Sequence, residues 1–512
     1  MMKLLEKIPM FVGRAAPRRA VAHLVHALTI AALLAAPLGA AHAAEEGPFH
    51  ASGMKVGEVT DTSAIVWARL TLRPQRNPSD APAVEIDYGS ARPGGGRRTR
   101  KVLGVRFPEG LTVRDIREAV PGVDGDVRVL VRARGTEKWE PTDWASVDPL
   151  GDFTRQFTIT DLKPATQYDV RIESRGIDGT AGATLDGEFR TAPRGDDPAR
   201  VLFTAATCFG NDDQDCPEGF KIYEAMADLD PDFFVHAGDI IYYDQLAKNV
   251  DLARYHWQRM YSWPSAVAFH RKVASFFIKD DHDTWVNDCW PTMPSRHMLD
   301  FTFRQGQLIF LEQVPMGDLT YRTRRYGKDL QVWMVEGRDY RSANTMPDGP
   351  DKTIWGPVQK KWLKDTLAAS DATFRVLFSP TPMVGPDRDS KLDNHANSGF
   401  KHEGDELRNF LAGQKNTIVI CGDRHWQYMS IDPKTKLREY CTGPASDEHA
   451  GGWQQSDYRE DYHRYLRVKG GFLAVTVDRS DDGTPTMTLR HHDVNGAVQH
   501  EDQLVADTAP AE

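Results

Sequence analysis

The chain has 512 residues, 40% of them hydrophobic and 27% charged, with a formal net charge of −10. This is ordinary globular composition, long enough for two domains or one large one, and it excludes a disordered chain. The acid excess speaks against a nucleic-acid binder, which needs a basic face.

Residues 1–43 stand apart. Arg14, Arg18 and Arg19 precede an apolar stretch from about Ala20 to Leu38 that closes on Ala41-His42-Ala43. A charged segment, an apolar segment and a small-x-small cleavage site form a secretory signal rather than a membrane span. The mature chain is expected to begin near Ala44, to be secreted or periplasmic, and to be soluble without a transmembrane span. Arg18-Arg19 before a weakly hydrophobic, Ala-rich segment also admits twin-arginine export beside general secretion. The leader carries five Lys/Arg and one Glu, so the mature chain is more acidic still.

Residues 44–195 read as an all-β, fibronectin type III-like domain. The runs 56–60 and 63–70 resemble paired strands, 153–159 and 168–172 alternate, and an insertion rich in Gly, Pro and Arg carries weaker strands near 84–88 and 127–133. Arg194-Gly195-Asp196-Asp197-Pro198 is a polar breaker that marks a boundary. From 198 to 512, strand-like runs alternate with helical patterns at 219–226, 252–261, 357–369 and 403–411, as in an α/β domain. The runs 472–478 and 486–492 are expected to form a hairpin, an antiparallel edge closing the second sheet.

Four apolar runs stop abruptly at residues with chemistry: VLFTAATC at Cys208, FFVHAGD at Asp239, SFFIKDDH at Asp281 and His282, and NTIVICGDRH at Asp423 and His425. In an open α/β sheet, residues just beyond strand ends converge in one crevice. Gly238 allows the chain to turn sharply before Asp239. An odd count of five cysteines in an exported chain leaves at least one thiol free or metal-bound. Cys208 is the candidate, and disulfides among the other four stay open. No Gly-x-Ser-x-Gly elbow or Walker-type lysine loop is present.

Thr207-Cys208, Gly238-Asp239-Ile240-Ile241-Tyr242, Asp280-Asp281-His282-Asp283, Gly337-Arg338-Asp339-Tyr340-Arg341-Ser342 and Gly422-Asp423-Arg424-His425, in this order, resemble the alkaline phosphatase D (PhoD-like) family of metallophosphoesterases. The resemblance implies a four-layered α/β/β/α sandwich and an exported alkaline phosphatase or phosphodiesterase acting on a small phosphate ester. It also implies Fe³⁺ held by Cys208, Asp239, Tyr242 and His425, with a harder ion, Ca²⁺, shared through Asp239 and bound by Asp281 and Asp423. Thiolate and phenolate suit a ferric ion, and carboxylates suit a hard cation. Two such ions clamp phosphoryl oxygens and generate hydroxide at neutral pH.

His282 is the expected general acid and Asp239 the bridging carboxylate. Each role has a plainer rival: a helix cap for Asp239, a buried small hydrophobe for Cys208, a core aromatic for Tyr242 and a structural histidine for His282. The segment Lys391 to Phe400 departs from the family pattern, with His395 or Asn397 as candidate lining residues. Arg338 and Arg341 are candidate phosphate contacts or else salt-bridge partners of core acids. Trp257, Trp263, Trp285 and Trp290 either line a pocket or belong to the core. The alternative functions are a phospholipase or teichoic-acid-like phosphodiesterase on the same site, and a non-catalytic cell-surface binding protein.

Overall fold

The computed structural model describes residues 47–89 and 102–507, which lie in one compact unit, Glu45–Glu512. The expected leader, 1–43, falls outside the described residues. Beyond Val201 two mixed sheets organise the chain. One has six strands in the order Ser275–Ile278, Phe233–Ala237, Val201–Ala206, Gly471–Arg479, Pro485–Asp493 and Val498–Val505. The other has seven, in the order Arg322–Tyr326, Leu330–Met334, Phe374–Ser379, Thr417–Cys421, Arg438–Thr442, Gln427–Ile431 and His463–Arg467.

The strands that lead to the expected site residues are parallel neighbours within each sheet. Their carboxyl ends therefore emerge along one edge of each sheet.

Alternate side chains on a strand point to opposite faces, and these strands are apolar on both, as buried parallel strands are. Phe203, Val235, Val332, Val376, Phe378 and Ile418 join one buried cluster drawn from both sheets, where the rings of Phe203 and Phe378 meet edge-on at 5.9 Å. The intervening Ala206, Phe234 and Phe277 face a second cluster with Ile222, Trp257, Phe269 and Phe310. On the other sheet, Trp333, Leu377 and Val419 face a third with Leu363, Leu367, Leu407 and Leu411.

The helices begin where side chains satisfy their free N–H groups. Asn249 accepts from the Leu252 N–H at 2.9 Å to cap Val250–Tyr261, and Thr302 with Gln305 forms a capping box on Phe303–Gln313. The four expected helical patterns are found as Lys221–Ala227, Val250–Tyr261, Gly356–Ala368 and Lys401–Ala412.

The expectation for the carboxyl-terminal hairpin is corrected. Gly471–Arg479 and Pro485–Asp493 pair antiparallel, but Gly471–Arg479 also pairs with Val201–Ala206. The hairpin thus extends the sheet that carries Cys208 and Asp239, and Val498–Val505 forms its edge. A strand's partner far upstream leaves no local signature, so residue patterning alone does not reveal which sheet the hairpin joins.

Upstream, Met54–Gly57, Ala64–Arg69 and Thr154–Ile159 form a three-stranded sheet, and Ala181–Arg190, Gln167–Arg175 and Asp126–Ala133 are the main strands of a five-stranded one. Met54, Val66, Phe157 and Val170 belong to the same buried cluster as Phe203 and Phe378. Polar links also cross to the helix Phe303–Gln313: Trp67 Nε1 donates to the Glu312 carbonyl at 2.9 Å, and Lys55 Nζ donates to the Gln313 carbonyl at 3.1 Å. All five cysteines are free thiols. No helix among the described residues is long and apolar enough to cross a membrane.

Candidate metal centre

The strand ends bring the expected residues together. Cys208, Asp239 and His425 form one group of potential ligands; Asp239, Asp281 and His282 a second; Asp239, Asp280 and Asp423 a third, with the ligand atoms of each group within 4.8 Å of one another. Asp239 is common to all three. Its position is set by a sharp turn: Gly238 has φ +97° and Asp239 φ +54°, and a Cβ on Gly238 would lie 2.9 Å from that of Asp280. Cys208 and Asp423 also take left-handed backbone, at φ +56° and +63°. Non-glycine residues in this region concentrate at functional sites, where packing holds them.

The loops are laced to each other. Cys208 N donates to the Gly238 carbonyl at 3.3 Å and Phe209 N to that of Asp239 at 2.8 Å. Asp283 accepts from Ile240 N at 2.9 Å and from Asp280 N at 2.5 Å, fastening the Asp239 turn to the Asp281 loop. Asp281 Oδ2 accepts from Asp288 N at 2.5 Å. His282 Nδ1 lies 3.0 Å from Asp244 Oδ1, which leaves Nε2 free of that bond. The Tyr242 ring packs between His282, at 4.4 Å, and His449, at 5.1 Å.

The electrostatics are those of crowded donors. Burial, reinforced by Asp281, Asp280 and Asp283, pushes the Asp239 carboxyl well above the usual range. Burial beside Asp239 does the same to the Cys208 thiol, and burial beside Cys208 and Asp239 to the Tyr242 phenol. Burial lifts Asp280 to about 7, against the pull of Arg338. Asp281 goes the other way: burial opposes its ionisation, but Arg338, His282 and Lys391 hold it well below the usual carboxylate range. Asp239 Oδ1 and Asp280 Oδ2 are buried without a hydrogen-bond partner. Orphaned acceptors of this kind are costly unless something completes them. Thiol, phenol, imidazole and carboxylates gathered around such atoms suit metal ions.

The residues expected as substrate contacts are engaged with other partners. His395 is fully buried, its Nε2 3.0 Å from Glu403 Oε2 and its ring 4.8 Å from Trp355. Asn397 Nδ2 is spent on the carbonyls of Arg388 and Lys391, at 2.7 and 2.9 Å. Arg338 is inaccessible, bound to Asp280 at 2.5 Å and near Asp281 and Asp393 at 3.6 and 3.4 Å. Arg341 is buried over Phe400 and donates to the Asp393 carbonyl. These arginines brace the acids from behind. Trp257 and Trp285 are core residues, bonded to the Tyr243 hydroxyl and the Phe301 carbonyl.

Residue type and spacing do not single out Asp280 as a ligand-type group, nor Asp244, Asp213 and His449 as partners. Asp280 belongs to the Asp-Asp-His-Asp motif, which is the signal that could have found it; the other three lie in short helical turns without a strand-end signature.

A family model described as PhoD-like phosphatase matches residues 203–469, just over half of the chain. The chain belongs to the PhoD-like phosphatase family. As a member it shares its fold with a solved structure of PhoD, at a TM-score of 0.67 and 16% identity over 89% of each chain. The purple acid phosphatase PPD1 of yellow lupin (Lupinus luteus) seeds has a TM-score of 0.58 and 11% identity, over 89% of this chain and 74% of that one. No curated protein matches this PhoD-like phosphatase.

Proposed function

We propose that this chain is an exported, metal-dependent phosphoesterase, an alkaline phosphatase or phosphodiesterase. The observation that carries the reading is the convergence of three ligand groups on Asp239. The chain is then organised as a leader (1–43), a fibronectin type III-like module (44–195) and a catalytic α/β/β/α sandwich (198–512). In support of the sandwich, one core lies between the sheets and two further ones lie between sheet and helices.

Cys208, Asp239, Tyr242 and His425 would hold Fe³⁺, whose preference is for thiolate, phenolate and imidazole, while Asp239, Asp281 and Asp423 would hold Ca²⁺ through oxygen. When bound, the ions neutralise phosphoryl charge and lower the pKa of water. The rest is the work of side chains. Burial disfavours the imidazolium of His282, but Asp244, Asp281 and Asp239 raise its pKa well above the usual value. With Nδ1 committed to Asp244, its Nε2 donates a proton to the leaving alkoxide.

For the organic group of the ester, the reading uses a cleft of about 460 Å³ lined by Arg388, Trp453, Tyr458 and Arg459. Gly451, next in the chain to the lining residue Gly452, donates its N–H to the His425 carbonyl at 3.1 Å.

Asp239→Asn is expected to abolish phosphate release from an aryl phosphate with the circular-dichroism spectrum unchanged. Wild-type turnover in that variant overturns the assignment. Parallel assays on a monoester and a bis-aryl phosphate separate phosphatase from phosphodiesterase.

A further inference from the structure

Tyr242 is bracketed by two histidines, each backed by an aspartate. His282 with Asp244 serves proton donation; His449 with Asp213 has no part in it. His449 Nε2 lies 2.7 Å from the Tyr242 hydroxyl, and its Nδ1 lies 2.7 Å from Asp213 Oδ2. The ring sits 4.3 Å from that of His425. Asp213 is itself held, its carbonyl accepting from Ser446 Oγ at 2.6 Å. The fit is close: a Cβ on Gly210 would stand 2.6 Å from Asp213 Oδ2 and 2.8 Å from His449 Nδ1. Glycine at 210 is therefore what lets this pair close.

A carboxylate only accepts, so Asp213 takes the Nδ1–H and selects the tautomer whose Nε2 carries a lone pair. That lone pair accepts from the Tyr242 phenol and takes its proton when the phenol ionises on binding iron, so that Nε2–H then donates to the phenolate and the contact persists in both states. The phenol is thereby held in one orientation, beside Cys208. We propose that Asp213 and His449 are positioning residues that present the Tyr242 oxygen to the Fe³⁺ ligand set. The proposal rests on the metal reading of Cys208, Asp239, Tyr242 and His425. Partners of this outer kind are worth ~10- to 100-fold in metal affinity.

The test compares the wild-type protein with Asp213→Asn, His449→Gln and His449→Phe, each loaded with Fe³⁺ alone. The readouts are the visible phenolate-to-iron absorption band and the iron retained against graded chelator. Asparagine at 213 can donate to Nδ1, which turns Nε2 into an N–H that no longer accepts. Asp213→Asn and His449→Phe are expected to lose iron ~10- to 100-fold more readily, with the band shifted. His449→Gln, whose amide can bond the Tyr242 oxygen but cannot take its proton, is expected to fall between the wild type and His449→Phe in both readouts. If His449→Phe does not fold, the near-isosteric Asp213→Asn carries the test. Wild-type iron retention and an unshifted band in Asp213→Asn overturn this proposal alone. A wild-type protein that takes up no iron overturns the metal reading and this inference with it.

Discussion

At the residue scale, the chemistry turns on groups that burial alone would leave uncharged. Asp239 is pushed toward the protonated form by burial and its neighbouring aspartates, and Cys208 and Tyr242 by burial and Asp239, so a cation is the natural complement to their charged forms. His282 differs in having a dedicated partner in Asp244. His282→Ala is expected to lower kcat ~10²- to 10⁴-fold on an alkyl phosphate, whose leaving group needs a proton. The loss should be far smaller on a nitrophenyl ester, whose leaving group does not. Steady-state kinetics on the two esters check this, and equal losses would remove His282 as the proton donor. That Cys208, Asp239, Asp281, Asp423 and His425 would converge was legible, because each lies at the end of an apolar run. For Arg338 and Arg341 residue type left two readings, a phosphate contact or a partner of core acids, and folding encloses them among Asp280, Asp281 and Asp393.

At the element scale, the helix Lys401–Ala412 is fastened by Glu403, which accepts from the Ile354 N–H at 2.6 Å and sits 3.0 Å from His395 Nε2. Burial pushes its carboxyl up, but His395, Thr353 and the Ile354 N–H outweigh that and hold it at about 2, against an ordinary 4.5. A carboxyl whose folded pKa is depressed stabilises fully above its unfolded value, and that stability is lost as pH falls through the folded one. Glu403→Gln is therefore expected to cost roughly 3 kcal/mol above pH ~5, with the gap to wild type closing as pH falls toward 2. Thermal melts across that window measure it; a gap independent of pH would show that packing, not charge, is responsible. The polar type of His395 is here accounted for by its contact with the helix residue Glu403.

At the scale of the whole molecule, the upstream strands and the two sheets share one buried cluster. A fragment starting at residue 198 would expose the face that Met54, Val66, Phe157 and Val170 cover, so it is expected to be insoluble, whereas the chain from residue 44 is not. Comparative expression decides between them, and a soluble, cooperatively melting fragment would show that the module is dispensable. Metal ions should also contribute to global stability, since anything bound only by the folded state raises it by mass action. Dialysis against a chelator is expected to lower Tm by several degrees, with recovery on adding Fe³⁺ and Ca²⁺. Asp239→Asn should respond much less, and an equal response would place the stabilising ion elsewhere.

Sequence alone determined most strands, the main helices and which reactive residues stand at strand ends, because these rest on local rules: apolar runs on buried strands and the residues that follow them. It also placed the chain's family through motifs spread along its length. Only the tertiary structure decided which sheet the carboxyl-terminal hairpin joins, which cations are enclosed, and that Asp213 and His449 meet Tyr242. Those outcomes depend on contacts between segments far apart in the chain, and residue type and spacing carry no record of which distant group will lie across the gap.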